Sequence, residues 1–267
     1  MESRNPIFSR TDAFQRGGYA GFRNPPTPSA GDLNQMYAAP SATSLDTGRM
    51  TLDDVVVKTG LLFAVLLAVA VPTYFVWHPG PLVVLGSMLA ALAISLVASF
   101  SKAIRPPLYL VYAVVEGVFV GGVSSFYANA YQGIVPQAVL GTLCAFATML
   151  VLYRAGIVRN SPRFTRVLMI AGVGYLVFGL LNLFLSLFTG WHNVYSGGGL
   201  LPVLISGFGV VLASLFLVLD FDTVEQGIRN NAPKAYAWVA GFGFLVTLVW
   251  LYLEVLRLLA VLRNLSD

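Results

Sequence analysis

"TLDDVVVKTGLLFAVLLAVAVPTYFVWHPGP", residues 51–81, decides the fold class. Thr51 followed by Asp54 fits a capping box, and Asp53 and Asp54 suit the electropositive start of a helix. The apolar run that follows, over 55–77, is near the ~20 residues needed to cross ~30 Å of hydrocarbon. It stops at "HPGP", where proline ends a helix.

The same pattern recurs along the chain. Further apolar segments run over about 81–100, 107–129, 135–154, 165–189, 199–220 and 236–262, separated by breaks such as "RPP" and "NSPRF". Only 10% of the 267 residues are charged and 57% are hydrophobic, with a mean hydropathy of +0.76; soluble domains carry about 25% charged residues. The reading is an all-α, polytopic membrane protein, a seven-transmembrane-helix bundle over 51–267. Residues 1–50, rich in Gly, Pro, Ser and Arg and without apolar period, read as a disordered cytoplasmic tail. Arg alternating with Tyr and Phe there suits lipid headgroups or RNA, but a solvated tail is the plainer reading, and no nucleic-acid partner is expected. No apolar core precedes residue 55, so a cleaved signal peptide is not expected either.

Loop charge sets the orientation. Lys102 and Arg105 follow the second span, Arg154, Arg159, Arg163 and Arg166 the fourth, and Arg229 and Lys234 the sixth, whereas the gaps after the first, third and fifth hold neither Lys nor Arg. Cytoplasmic loops carry the positive excess, which places the N-terminus and the even loops in the cytoplasm of a multi-pass cell-membrane protein. The C-terminus stays open: seven crossings put it outside, while Arg257 and Arg263 pull it inward. Cys144 is the single cysteine, which excludes an intrachain disulfide framework. His78 and His192 both fall in short gaps, so no zinc site and no cofactor are expected.

The acids carry the functional information. Of twelve, six precede the first span and Asp267 is terminal, leaving Glu116, Asp220, Asp222, Glu225 and Glu254. A charge at a helix centre costs about 2.5–3.5 kcal/mol on insertion scales, and such residues face the bundle interior or a conduction path. Glu116 lies eleven residues beyond Arg105, about 17 Å along a helix, near mid-bilayer; it either lines a path or hydrogen-bonds a neighbouring helix. Asp222 and Glu225 share a helical face and Asp220 points nearly opposite. Glu225 and Arg229 form an i,i+4 pair, Asp222 is the acid favoured to look inward, and Asp220 is left undecided. Glu254 either pairs with Arg257 within its helix or shares a cavity with an acid of the sixth span, where two carboxylates titrate as a coupled pair.

"EG" at Glu116–Gly117, "FDT" at Phe221–Thr223 and "LYLE" at Leu251–Glu254 together resemble the Bax inhibitor-1 family, the transmembrane Bax-inhibitor-motif proteins, and within it bacterial members with a long polar tail. The resemblance covers about residues 50–265. It implies a bundle with the last helix central and a pH-sensitive Ca²⁺ leak gated by an acidic pair, here Asp222 and Glu254. Those two carboxylates are the expected oxygen ligands for Ca²⁺, with Glu254 standing where the family has Asp. They lie 32 residues apart. A simple turn near 230–234 would leave Asp222 about 12 Å and Glu254 about 30 Å from it; an interfacial break at Gly241 or Gly243 would let them meet.

The alternative function is a non-conducting regulator that contacts a membrane protease or another stress-response partner through its tail. An intramembrane enzyme is not expected: Ser206 in "LISGFG" lacks the preceding glycine of a GxSG site and reads as a packing residue.

Overall fold

The computed structural model describes residues 48–101, 103–189, 194–196 and 199–266, together with Ser29 and Gly31. Most of the expected tail, Lys102, His192 and Asp267 lie outside the described residues. Seven helices are long and apolar enough to cross a membrane: α1 (Leu52–Pro72), prolonged by a π-helical turn (Thr73–Trp77), α2 (Pro81–Phe100), α3 (Pro106–Ala130), α4 (Ile134–Arg154), α5 (Pro162–Phe188), α6 (Leu200–Arg229) and α7 (Tyr236–Ser266). A short 3₁₀ turn, Val194–Ser196, lies between α5 and α6.

The helix ends follow from local sequence. The Thr51 hydroxyl accepts from the Asp54 amide at 3.1 Å, and the Thr51 amide donates back to Asp54 Oδ2 at 3.3 Å, completing the capping box. Helices α2, α3 and α5 each start with proline, whose missing N–H is no loss in a first turn. The sixth apolar segment was expected to end near 220, but α6 continues to Arg229, so all three of its acids are helical. Ordered pairing also starts before Thr51: Met50 N–H donates to Ala232 C=O at 2.8 Å and Lys234 N–H to Gly48 C=O at 2.9 Å, fastening residues 48–50 to the α6–α7 turn.

Helix α7 is the axis of the bundle. It packs on α6, α1, α4 and α3, and it buries residues all round, from Leu245 and Val249 to Leu251 and Leu256, as an internal helix must. About half of the apolar windows of α3 and α7 is buried (56% and 50%), against 11% for α5, which sits at the periphery of the bundle. The helix is unbroken through Gly241 and Gly243, which corrects the interfacial break considered above. Gly241 serves close packing instead, since a methyl group there would stand 3.1 Å from the Thr59 backbone nitrogen of α1.

Small residues also seat α3 on α1. A Cβ at Gly117 would lie 2.7 Å from the Leu66 carbonyl oxygen, and one at Gly121 would lie 2.5 Å from that of Ala70. This is the small-xxx-small device for bringing membrane helices together. At the end opposite the arginine-rich turns, Tyr131 donates to Asn264 at 2.6 Å and Arg263 to the Gln132 carbonyl at 2.7 Å. The end of α7 thus stands beside the α3–α4 turn, and the helix crosses in full.

Gly121→Leu should destabilise the protein by about 1–3 kcal/mol, the usual overpacking cost, whereas Gly86→Ala, where an added Cβ meets nothing within 4 Å, should be near neutral. Unfolding titrations in mixed micelles would measure the difference.

Candidate functional site

Glu254 is buried in the half of the bundle away from the arginine-rich turns. Its side chain is 3% exposed and ion-paired with Arg257 one turn later, whose Nη1 stands 3.0 Å from both carboxylate oxygens. Tyr175 of α5 donates to Oε2 at 2.8 Å, and Trp250 Nε1 donates to Oε1 at 3.1 Å. The Arg257 guanidinium lies over the Tyr195 ring, 4.4 Å from its centroid, so the α5–α6 connection covers the pair. Gly209 of α6 lets the carboxylate sit against the α6 backbone, because a Cβ there would strike both the Tyr175 hydroxyl and the Glu254 carboxylate. Of the two readings open for Glu254, the intrahelical pair is the one formed, and it is formed deep inside rather than at a membrane edge.

Asp222 is elsewhere. It stands at the arginine-rich end, where Asn160 Nδ2 donates to Oδ2 at 2.6 Å and Gln226 Nε2 donates at 2.5 Å. Gly209, the α6 residue against Glu254, precedes Asp222 by thirteen residues, about 20 Å along the helix. Asp222 and Glu254 therefore make no acidic pair and share no Ca²⁺ ion, which corrects the expected gate. The physical reason is the simple turn at 230–235: with α7 continuous, the two residues recede from it by unequal lengths. No cluster of three or more potential metal ligands occurs among the described residues.

The two aspartates of α6 face different spaces, as their angular separation demands. Asp222 and Glu225 line an open cleft of about 1150 Å³ between α1, α4, α6 and α7. Asp220 lines a second cavity of about 520 Å³ between the end of α2, α3, α6 and α7. The Thr247 side chain of α7 stands close to Asp220, while Oδ2 is buried with no hydrogen-bond partner among the described residues. Glu116, 6% exposed, has the Tyr112 side chain of its own helix close by, one turn earlier. Glu225 pairs with Arg229 at 3.6 Å and accepts from Tyr153 at 2.5 Å. The Ser206 hydroxyl is wholly buried and has no hydrogen-bond partner among the described residues.

Compared with known families, the chain matches the one described as Bax inhibitor 1 like over residues 5–264. It belongs to that family. An uncharacterised protein of Chlamydia muridarum (strain MoPn / Nigg) is similar to it, 28% identical over 123 residues, which is 46% of this chain and 49% of that protein. The chain thus matches about half the length of that curated relative.

Within this Bax inhibitor 1 like chain, sequence reasoning located every intramembrane acid but missed most of their partners. Gln226 was readable, standing four residues after Asp222. Asn160, Tyr175 and Tyr195 were not, since each reaches its partner across the fold.

Arg257→Gln leaves the Glu254 charge buried alone and should cost about 3–5 kcal/mol. The double variant Glu254→Gln/Arg257→Gln should recover most of that loss. A double-mutant cycle on unfolding free energy in micelles would measure the coupling, and additive effects would contradict the pairing.

Proposed function

We propose that this member of the Bax inhibitor 1 like family is a proton-sensitive cation leak, and that Asp220 is its titrating carboxylate. The observation that carries this reading is a buried carboxylate oxygen with no partner in the wall of a cavity at the arginine-rich end of the bundle. By the positive-inside rule that end is cytoplasmic. A membrane protein keeps an uncompensated acid among its helices where ions or protons travel.

The cavity presents oxygen ligands: the Asp220 carboxylate with the hydroxyls of Ser99, Ser101, Thr223 and Tyr109. The polar groups of this otherwise apolar lining are oxygens, which suit a hard cation such as Ca²⁺ or its hydration shell. Among the described residues, the other ionisable groups lining this space are Tyr109 and Tyr236, and neither of these carries a positive charge. Protonation therefore changes the charge of the cavity by a full unit. It also changes what Asp220 presents to α7, whose Thr247 side chain stands close by. Glu116 continues the acidic line along α3 toward mid-bilayer. Beyond it the Glu254–Arg257 pair, covered by Tyr195, closes the other half with a net charge of zero.

In proteoliposomes loaded with a Ca²⁺ indicator, Asp220→Asn should flatten the dependence of flux on pH. Asp222→Asn, which replaces an acid already held by two amide donors, should keep the wild-type profile. A wild-type profile for Asp220→Asn would overturn the assignment, and absence of flux in the wild-type protein would overturn the leak.

A further inference from the structure

The larger cleft is not used by this reading. Helices α1 and α4 each pack on α7 but have little contact with one another, so the cleft opens sideways between them, with Phe244 and Leu248 of α7 on its floor. Its depth is that of one leaflet. Phe63 lies eleven residues into α1 and Leu248 twelve residues into α7, about 17–18 Å of helix each, and half of the hydrocarbon core is about 15 Å.

Its mouth is basic. Arg154, Arg159 and Arg229 stand there with Asp222 and Glu225. Both acids are engaged, Asp222 by Asn160 and Gln226, and Glu225 by Arg229 and Tyr153. Arg154 and Arg159 have no hydrogen-bond or ionic partner among the described residues. A leaflet-deep apolar slot, open to the bilayer and rimmed by unpaired guanidinium groups, has the shape and charge of one membrane component.

The geometry points to a binding site for an anionic phospholipid, its acyl chain in the slot between α1 and α4 and its phosphate at Arg154 and Arg159. Guanidinium groups take phosphate in bidentate fashion, and basic pockets between helices at the cytoplasmic face are where anionic headgroups bind. Gly60 leaves the slot open. It lines the cleft, and a Cβ built on it meets nothing within 4 Å, so a larger side chain there would occupy the acyl position without displacing protein atoms.

Native mass spectrometry of the full chain, released from nanodiscs holding equal phosphatidylglycerol and phosphatidylcholine, tests this. One phosphatidylglycerol should be retained preferentially. Arg154→Gln and Arg159→Gln should each weaken retention by about fivefold, in keeping with the usual contribution of one basic residue near an anionic surface. Arg154→Lys/Arg159→Lys, which keeps the charge but not the bidentate fork, should retain more of the preference than the double glutamine variant but less than the wild type. Gly60→Leu should remove the bound lipid while leaving the arginines in place. Equal retention of both lipids, or retention unaffected by the arginine and Gly60 variants, would mean annular lipid only and overturn the site. Displacement of the lipid by inorganic phosphate alone would overturn the acyl part of the proposal.

Discussion

Hydrocarbon offers no hydrogen bonds, so every polar atom carried into it must find its partner in the protein. That constraint orders the whole molecule. It makes the spans helical, and it draws the helices together where small residues permit, as at Gly117 and Gly121 against the carbonyls of α1. It also sorts the five acids carried on the spans by the company they keep. Glu254 has a cation and two further donors, Asp222 two amides, and Glu225 a cation and a phenol, while Glu116 has a phenol close by on its own helix. Asp220 retains an oxygen with nothing.

The division of α6 into two faces is the feature on which function turns. Two residues along a helix rotate a side chain by about 200° at 3.6 residues per turn, so Asp220 and Asp222 open on different spaces although they are near neighbours in the chain. One space is small and rich in hydroxyls, the other long, apolar and rimmed with arginine. Helix α7 separates them. A single central helix thus gives one end of the bundle two chemically distinct compartments.

The fold was legible because each span is a long apolar run between proline-marked ends, a signal that needs no tertiary information. The capping box at Thr51, the seven crossings and the Glu225–Arg229 pair are all local patterns. Length along the chain even foretold that Asp222 and Glu254 would not meet across a plain turn; the glycines at 241 and 243 suggested a break, but they are spent on approach to Thr59. What the sequence withheld was the identity of partners distant in the chain. Nothing local ties Tyr175 to Glu254 across 79 residues or Asn160 to Asp222 across 62. The undecided status of Asp220 had the same origin, because a cavity is made by four helices at once.

Glu254 and Arg257 belong to the same helix, one turn apart. Their attraction is therefore available as soon as α7 coils, before any other helix is beside it. A single helix carrying both charges is neutral over that turn, which lowers the cost of placing it in hydrocarbon. The later arrival of Tyr175 and Tyr195 completes the surroundings of a pair already made. This pair is thus a property of one helix first, and of the assembled protein second.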